Sequence, residues 1–243
     1  DQNYRMRFGR YGLLDVEFEW DQIPHRFNVD TARTPYLRSN DGGTLTLPSR
    51  PTPITLGTNC TVNTVCDWVN RTAQPVDLSL YNGIARFKVR YTPTPGWSFT
   101  GNYGSNNNSG SRAFGTLFGT SPGNYNITEL VEPISYNTHN VELGGEYAGS
   151  GWSVGLKYNA SLFHNNVSTL VWDNPIHTTG AGGCVDSVAW SGTGAGGPCR
   201  GRLDLYPSNQ AHTFTLSGAA ALPLKTHFMS TVSYGWRLQD DHF

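Results

Sequence analysis

Between residues 13 and 20 the chain alternates almost without a break. Leu14, Val16, Phe18 and Trp20 fall on one parity; Asp15, Glu17 and Glu19 fall on the other. Successive side chains of a β-strand point to opposite faces, so this stretch predicts a strand with one apolar and one acidic face. Residues 84–91 repeat the pattern with opposite charge: Phe87, Val89 and Tyr91 alternate with Arg86, Lys88 and Arg90. A helix would spread both sets around its circumference, so the two stretches already commit the chain to β-structure.

The same period recurs along the chain. It marks strands over 97–103 (Trp97, Phe99, Tyr103), 139–147 (Val141, Leu143, Tyr147) and 152–163 (Trp152, Val154, Leu156, Tyr158, Ala160, Leu162). It returns over 212–222 (Phe214, Leu216) and 226–236 (Phe228, Val232, Tyr234, Trp236), with a first partial strand at 3–8 (Tyr4, Met6, Phe8). About eight strands of roughly 8–12 residues result, the length a tilted strand needs to cross a bilayer. Short turns around 9–12, 92–96, 148–151 and Pro223 alternate with long loops expected at about 21–83, 104–138 and 164–211. An up-and-down meander with short turns at one end and long loops at the other is the pattern of an outer-membrane barrel. Tyr91 and Trp97 flank one short turn, and Tyr147 and Trp152 another, as membrane-interface aromatics would. The competing reading is a soluble β-sandwich whose aromatics are ordinary core.

Composition narrows the classes further. Charged residues make up 14% of the chain, against roughly 25% in an average soluble domain. Hydrophobic residues are 37% and mean hydropathy is −0.42, yet aromatics reach 12%. So many rings need a surface to bury against, which argues against disorder. No run approaches the 18 or so apolar residues of a spanning helix. A net charge of −1 argues against a nucleic-acid partner held by phosphate neutralisation. The chain opens Asp1-Gln2-Asn3-Tyr4 with no leader-like apolar stretch, and is expected to begin after a processing site or within a longer protein.

The polar face carries register information. If the strands on either side of the 21–83 loop pair, one register sets Glu19 opposite Arg86, Glu17 opposite Lys88 and Asp15 opposite Arg90. In a barrel these six side chains face the lumen, either pairing with one another or meeting a partner. Leu14, Val16, Phe18, Phe87, Val89, Val154 and Leu156 would face lipid. Cys60 and Cys66, and Cys184 and Cys199, read as two local loop disulfides of an oxidising compartment, although other pairings remain open.

Little points to catalysis. The seven histidines are scattered, with no His-Glu-x-x-His and no Gly-x-Ser-x-Gly elbow. Gly180–Gly183 and Gly192–Gly197 lie beside cysteines in loop-like sequence rather than in a phosphate-binding turn. Asp15/Glu17/Glu19 and Asp240/Asp241 read as solvated strand charges. No metal or catalytic residue is expected.

Several non-periodic stretches are more distinctive. They are Gln22-Ile-Pro-His-Arg26, Thr34-Pro-Tyr36, Leu45-Thr-Leu-Pro48 and Glu129-Leu-Val-Glu-Pro-Ile-Ser-Tyr136. They continue with Tyr158-Asn-Ala-Ser-Leu-Phe163, Trp172-Asp-Asn-Pro175, Leu205-Tyr-Pro-Ser-Asn-Gln-Ala-His212 and Gln239-Asp-Asp241. In this order and spacing the chain resembles the MtrB/PioB family of decahaem-associated outer-membrane β-barrels. The resemblance implies a non-enzymatic barrel in a Gram-negative outer membrane that sheathes a periplasmic multihaem c-type cytochrome and supports electron transfer across that membrane. It also allows an outer-surface cytochrome beside it. The haem belongs to the partner, since no Cys-x-x-Cys-His occurs here. Eight strands close a barrel too narrow for a cytochrome, so this stretch, read as one β-barrel segment over 1–243, is expected to be part of a larger barrel. A general porin with an open lumen is the alternative, and a secreted β-rich binding protein a further one.

Overall fold

The computed structural model describes residues 1–28, 31–40, 42–48, 60–61, 64–121, 124–174 and 200–239; of 65, 117–121 and 124–128 it describes the backbone alone. The alternating segments form one antiparallel sheet. Its strands are β1 (Gln2–Arg10), β2 (Leu14–Asn28), β7 (Leu78–Tyr91), β8 (Trp97–Ser121), β9 (Asn124–Gly149), β10 (Trp152–Asn165), β13 (Asn209–Leu222) and β14 (Thr226–Gln239). They lie side by side in that order, each paired with the next, and β1 and β14 are open edges. The sheet is therefore an unclosed meander. No helix among the described residues is long and apolar enough to cross a membrane.

Register keeps the two faces pure. One transverse row reads Phe8, Val16, Val89, Gly101, Leu143, Tyr158, Phe214, Tyr234. The adjacent row, on the other face, reads Arg7, Glu17, Lys88, Asn102, Glu142, Asn159, Thr213, Gly235. A one-residue slip at any pair would mix the faces, so the apolar pattern and the ladder specify each other. No second sheet covers the apolar face among the described residues, and large apolar side chains stand exposed along it from Tyr4 to Leu238. A β-sandwich would bury that face; this one lies open.

All short turns fall at one end. Gly12, Gly96 and Gly151 take positive φ there, a conformation that side chains with a Cβ resist. The turns are also laced together: Thr92 N donates to Leu13 O, Ala148 N to Gly96 O, and Ala221 N to Gly151 O, at 2.7–2.8 Å.

The other end departs from expectation. The stretch 104–138, expected as a loop, is strand: β8 and β9 stay in register almost to their connection at 122–123. The alternation is lost there for a physical reason. Residues 105–111, Ser-Asn-Asn-Asn-Ser-Gly-Ser, are polar on both faces, and Leu130, Val131, Pro133 and Ile134 are buried on both. Hydrophobic period reports a strand only where its two faces differ. Likewise β2 runs on to Asn28, β7 starts at Leu78, β10 reaches Asn165 and β13 starts at Asn209, so the loops expected at 21–83 and 164–211 are shorter than predicted.

What remains of those two connections builds a small module on the β8–β9 hairpin. β3 (Arg33–Thr34) pairs with β6 (Gln74–Pro75), and β4 (Leu37–Arg38), β5 (Thr44–Thr46), β11 (Thr169–Asp173) and β12 (Arg200–Asp204) form a second sheet in the order β12-β11-β5-β4. Its core is Tyr36, Leu45, Val167, Leu170, Trp172 and Leu205, joined by Leu130 of β9. Asp173 ties the parts together. Its carboxylate accepts from Leu47 N at 2.9 Å and Arg200 Nε at 3.0 Å, and its carbonyl from the Tyr36 hydroxyl at 3.0 Å. Helix α1 (Val65–Thr72) starts at a Thr64 cap, whose Oγ1 accepts from Asp67 N, and buries Trp68. Cys60 and Cys66 form a disulfide that pins the approach to this helix, with Cα atoms 5.0 Å apart. Cys184 and Cys199 lie outside the described residues, as do Asp240 and Asp241.

Leu170 is fully buried, so Leu170→Ala should cost the module about 2–5 kcal/mol. Amide hydrogen exchange should rise over 44–46 and 166–173 while protection in β10 and β13 stays unchanged.

Candidate functional site

The site is the polar face of the sheet. Period two sends every second residue of β1, β2 and β7 to it, so three strands rich in alternating charge set a basic, an acidic and a basic stripe side by side. The register is Glu19↔Arg86, Glu17↔Lys88 and Asp15↔Arg90. Ion pairing does not follow it throughout. Arg86 Nη1 meets Glu19 Oε1 at 3.0 Å, but Glu17 is taken by Arg5 at 2.8 Å. Asp15 is held by both Arg7 Nε and Nη2, at 2.9 and 2.7 Å. A strand has two neighbours, and the arginines of β1 reach diagonally across with a planar fork that suits a carboxylate. Lys88 and Arg90 are left without a direct ion pair among the described residues, as is Lys157 of β10.

Beyond this ladder the face changes character. Asn102 Nδ2 donates to Glu142 at 3.0 Å, and then glycines and short hydroxyl side chains alternate with Lys157 and Glu146. Thr100, Gly144, Lys157 and Thr215 follow one another across the sheet, as do Ser98, Glu146, Gly155 and Ser217. A Cβ on Gly144 would come within 2.6 Å of Thr100 Oγ1, and one on Gly155 within 2.9 Å of Ser217 Oγ. The result is a hollow of about 400 Å³ lined by Lys88, Arg90, Glu142, Glu146 and Lys157, with Gly144 and Gly155 between them. It is a wall that another body can approach closely. It lacks a nucleophile–base pair, and no group of three or more metal-ligating side chains occurs among the described residues.

The opposite face carries Leu14, Val16, Phe18, Phe87, Val89, Val154 and Leu156 together. Val16 is covered by its neighbours, at 6% exposure, whereas Leu156 stands 54% exposed. Near the short turns, Trp97 and Tyr147 have ring centroids 4.9 Å apart and Tyr147 and Trp152 5.1 Å; Tyr91 stacks on Phe99. A second aromatic row went unread in the sequence. The Tyr103 hydroxyl bonds His139 Nδ1 at 2.9 Å, the Tyr158 hydroxyl bonds His212 Nδ1 at 2.8 Å, and His212 stacks on Trp236. The signal was there: these histidines sit at apolar-face positions of alternating strands. Along β8 and β9 the two rows are roughly 20–26 Å apart at the usual strand rise. That is close to the spacing of aromatic girdles around a membrane-facing band.

Where β8 and β9 leave the sheet, the polar face continues onto the hairpin. Glu132 is buried and holds Arg112 by two bonds, 2.6 and 3.0 Å long. The Arg112 guanidinium is pushed above its ordinary range by that bond. Tyr136 packs against Phe163 at 5.5 Å and Tyr206 at 6.0 Å. Burial, and after it the Glu132 charge, push the Tyr136 phenol upward. A raised acid stabilises the fold while neutral, so this contribution holds below about pH 10, the free-tyrosine value, and is lost as pH climbs through the raised one. An ultraviolet phenolate titration should therefore show a late step that Tyr136→Phe removes.

Comparison with known proteins bears on all of these features. The whole chain, residues 1–243, matches a family model described as "Putative outer membrane beta-barrel porin, MtrB/PioB". It is 28% identical over 211 residues to a protein named "Outer membrane protein MtrB" from Shewanella baltica (strain OS185). The match covers 86% of this chain and 26% of that protein, so the chain spans about a quarter of that relative's length. Two-faced strands, an open apolar face with two aromatic rows and a polar wall are what such a porin needs, and the chain belongs to the MtrB/PioB family of outer-membrane β-barrel porins.

Proposed function

We propose that the eight strands are a segment of barrel wall whose polar face lines a lumen occupied by a multihaem c-type cytochrome, so that the protein supports electron transfer across the outer membrane. The observation that carries this is the pair of faces. Each of the eight strands adds to an apolar face left uncovered among the described residues and to a polar face that carries the hollow. In hydrocarbon the open edges of β1 and β14 would leave backbone groups unsatisfied, so further strands must pair there. A barrel closed from these eight alone would fill its lumen with side chains. The larger barrel encloses a space for a folded partner. In this reading the wall positions and insulates, and the partner brings the haem, since none of Cys60, Cys66, Cys184 and Cys199 begins a haem-attachment motif. Membership of a porin family fits a protein with no catalytic role.

In this wall the membrane-crossing parts of β8 and β9 are about 97–105 and 139–147, and the module stands on the cell-surface side, where barrel loops are long. The lumen contacts are Asp15, Glu17, Glu19, Arg86, Lys88 and Arg90, with an outer-surface cytochrome as a further partner beside the module.

Purification of the full-length protein from its native membrane in mild detergent should bring down a haem-staining cytochrome in fixed ratio. A haem-free protein that conducts ions in planar bilayers would instead establish an open porin. The faces are tested separately by arginine substitution in lipid vesicles. Leu143→Arg and Leu156→Arg should each cost about 2–4 kcal/mol of unfolding free energy near mid-membrane, and Thr215→Arg, at the same depth on the other face, far less. Equal costs on both faces would sink the wall assignment.

A further inference from the structure

Three cations follow one another along the polar face of β7, at every second residue: Arg86, Lys88 and Arg90. Side chains two residues apart on one strand stand roughly 7 Å apart, so this row repels itself unless carboxylates answer it. The answer is incomplete. From the row of Asp15 to the row of Glu19, five cations (Arg5, Arg7, Arg86, Lys88, Arg90) face three carboxylates (Asp15, Glu17, Glu19). Arg5 takes Glu17, Arg7 takes Asp15 and Arg86 takes Glu19. The surplus positive charge falls on Lys88 and Arg90, both exposed.

The next strands do not absorb it. β8 is neutral where it meets them: Asn102 lies opposite Lys88, and Thr100 opposite Arg90. Glu142 and Glu146 stand on β9, two strands from β7 and so about 10 Å away at backbone level. Both have nearer company. Asn102 bonds Glu142 at 3.0 Å, and Lys157 of β10, opposite Gly144, is the diagonal neighbour of Glu142 and of Glu146. The hollow therefore has two unlike banks. Lys88 and Arg90 form one, open and positive; Glu142, Glu146 and Lys157 form the other, with both signs in reach of each other. Between them lie Ser98, Thr100 and Gly144, which keep the floor low and offer hydroxyls to a peptide backbone. A gap of two strand spacings admits one segment of another chain. A carboxylate on that segment gains two charge-assisted partners and displaces none already made.

We infer that the hollow receives a protruding segment of the polypeptide in the lumen, with an aspartate or glutamate of that segment held by Lys88 and Arg90. The inference rests on the sheath reading and adds which chemistry the occupant presents to the wall, and at what level. Arg90 is the last residue but one of β7, so the contact lies beside the short turns, the periplasmic end in that reading.

Carbodiimide coupling tests the contact at zero length. The reagent activates a carboxylate, and an amine touching it displaces the reagent to form an amide; a guanidinium does not. The full-length protein is treated in its purified complex with the cytochrome, and haem co-purification is measured first. With haem recovered, the expected product is a Lys88 peptide joined to an aspartate- or glutamate-bearing peptide of the occupant, identified by mass spectrometry. Lys88→Arg keeps the charge and removes the amine, so it should abolish this link with haem recovery unchanged. Lys88→Glu combined with Arg90→Glu should release the haem protein at lower salt than the unaltered wall. With haem recovered, no Lys88 link to the occupant, a link to a haem propionate, or release of the double variant at unaltered salt overturns the contact and leaves the sheath reading standing. Absence of any haem-bearing partner overturns the sheath reading, and the contact with it.

Discussion

The ladder between β8 and β9 runs in one register from Trp97↔Tyr147 to Gly119↔Tyr125, and the rest of the structure is built on it. Over about its first half it is two strands of an eight-stranded sheet. Past Gly110 and Tyr136 the neighbouring strands stop, and the same ladder becomes a free hairpin that the module grips on both faces. Backbone hydrogen bonds are indifferent to side-chain polarity, so one ribbon can pass from an apolar surround to water without changing its geometry. A helix could do the same, but it could not offer one face to each of two solvents along a shared plane with seven neighbours.

Electrostatics on the polar face sets geometry more than stability. Cross-strand ion pairs that stay solvent-accessible contribute only a few tenths to about 1 kcal/mol each. What Arg5, Arg7 and Arg86 do is pair with Glu17, Asp15 and Glu19 of β2, so that this triplet is balanced and the cations of β7 nearest the hollow stay available. Only one of the three pairs expected from register, Glu19–Arg86, is made directly. The other two show that register and pairing are separate questions when a strand is flanked by arginines on both sides.

That difference marks how much could be read from residues alone. The strand set, its meander order and the β2–β7 register follow from period two and charge sign, because both act locally and repeat. The extension of β8 and β9 was illegible, since Asn106, Asn107 and Asn108 and the doubly buried run around Leu130 erase the contrast between faces from opposite directions. The module was hidden for another reason. Its central pairing is parallel and joins Thr44–Leu45 to Val171–Trp172, more than a hundred residues apart, through strands of three and five residues. Segments that short carry no period. On the site side, the charged triplets announce themselves, whereas the Arg112–Glu132 pair appears only once β8 and β9 stay in register along the hairpin.

Under the sheath reading proposed above, the polar face would have to admit a solid surface as well as water. Water and small ions would be served equally well by charge spread evenly over the face, and large polar side chains would tune the passage. Instead, charge is paired near β2 and returns around the hollow at Glu142, Glu146 and Lys157, while Thr100, Gly144, Gly155 and Ser217 between them keep the wall low. Removing side chains from a wall gains nothing against water, which fills any gap. It gains contact area against a solid surface that can come within van der Waals distance.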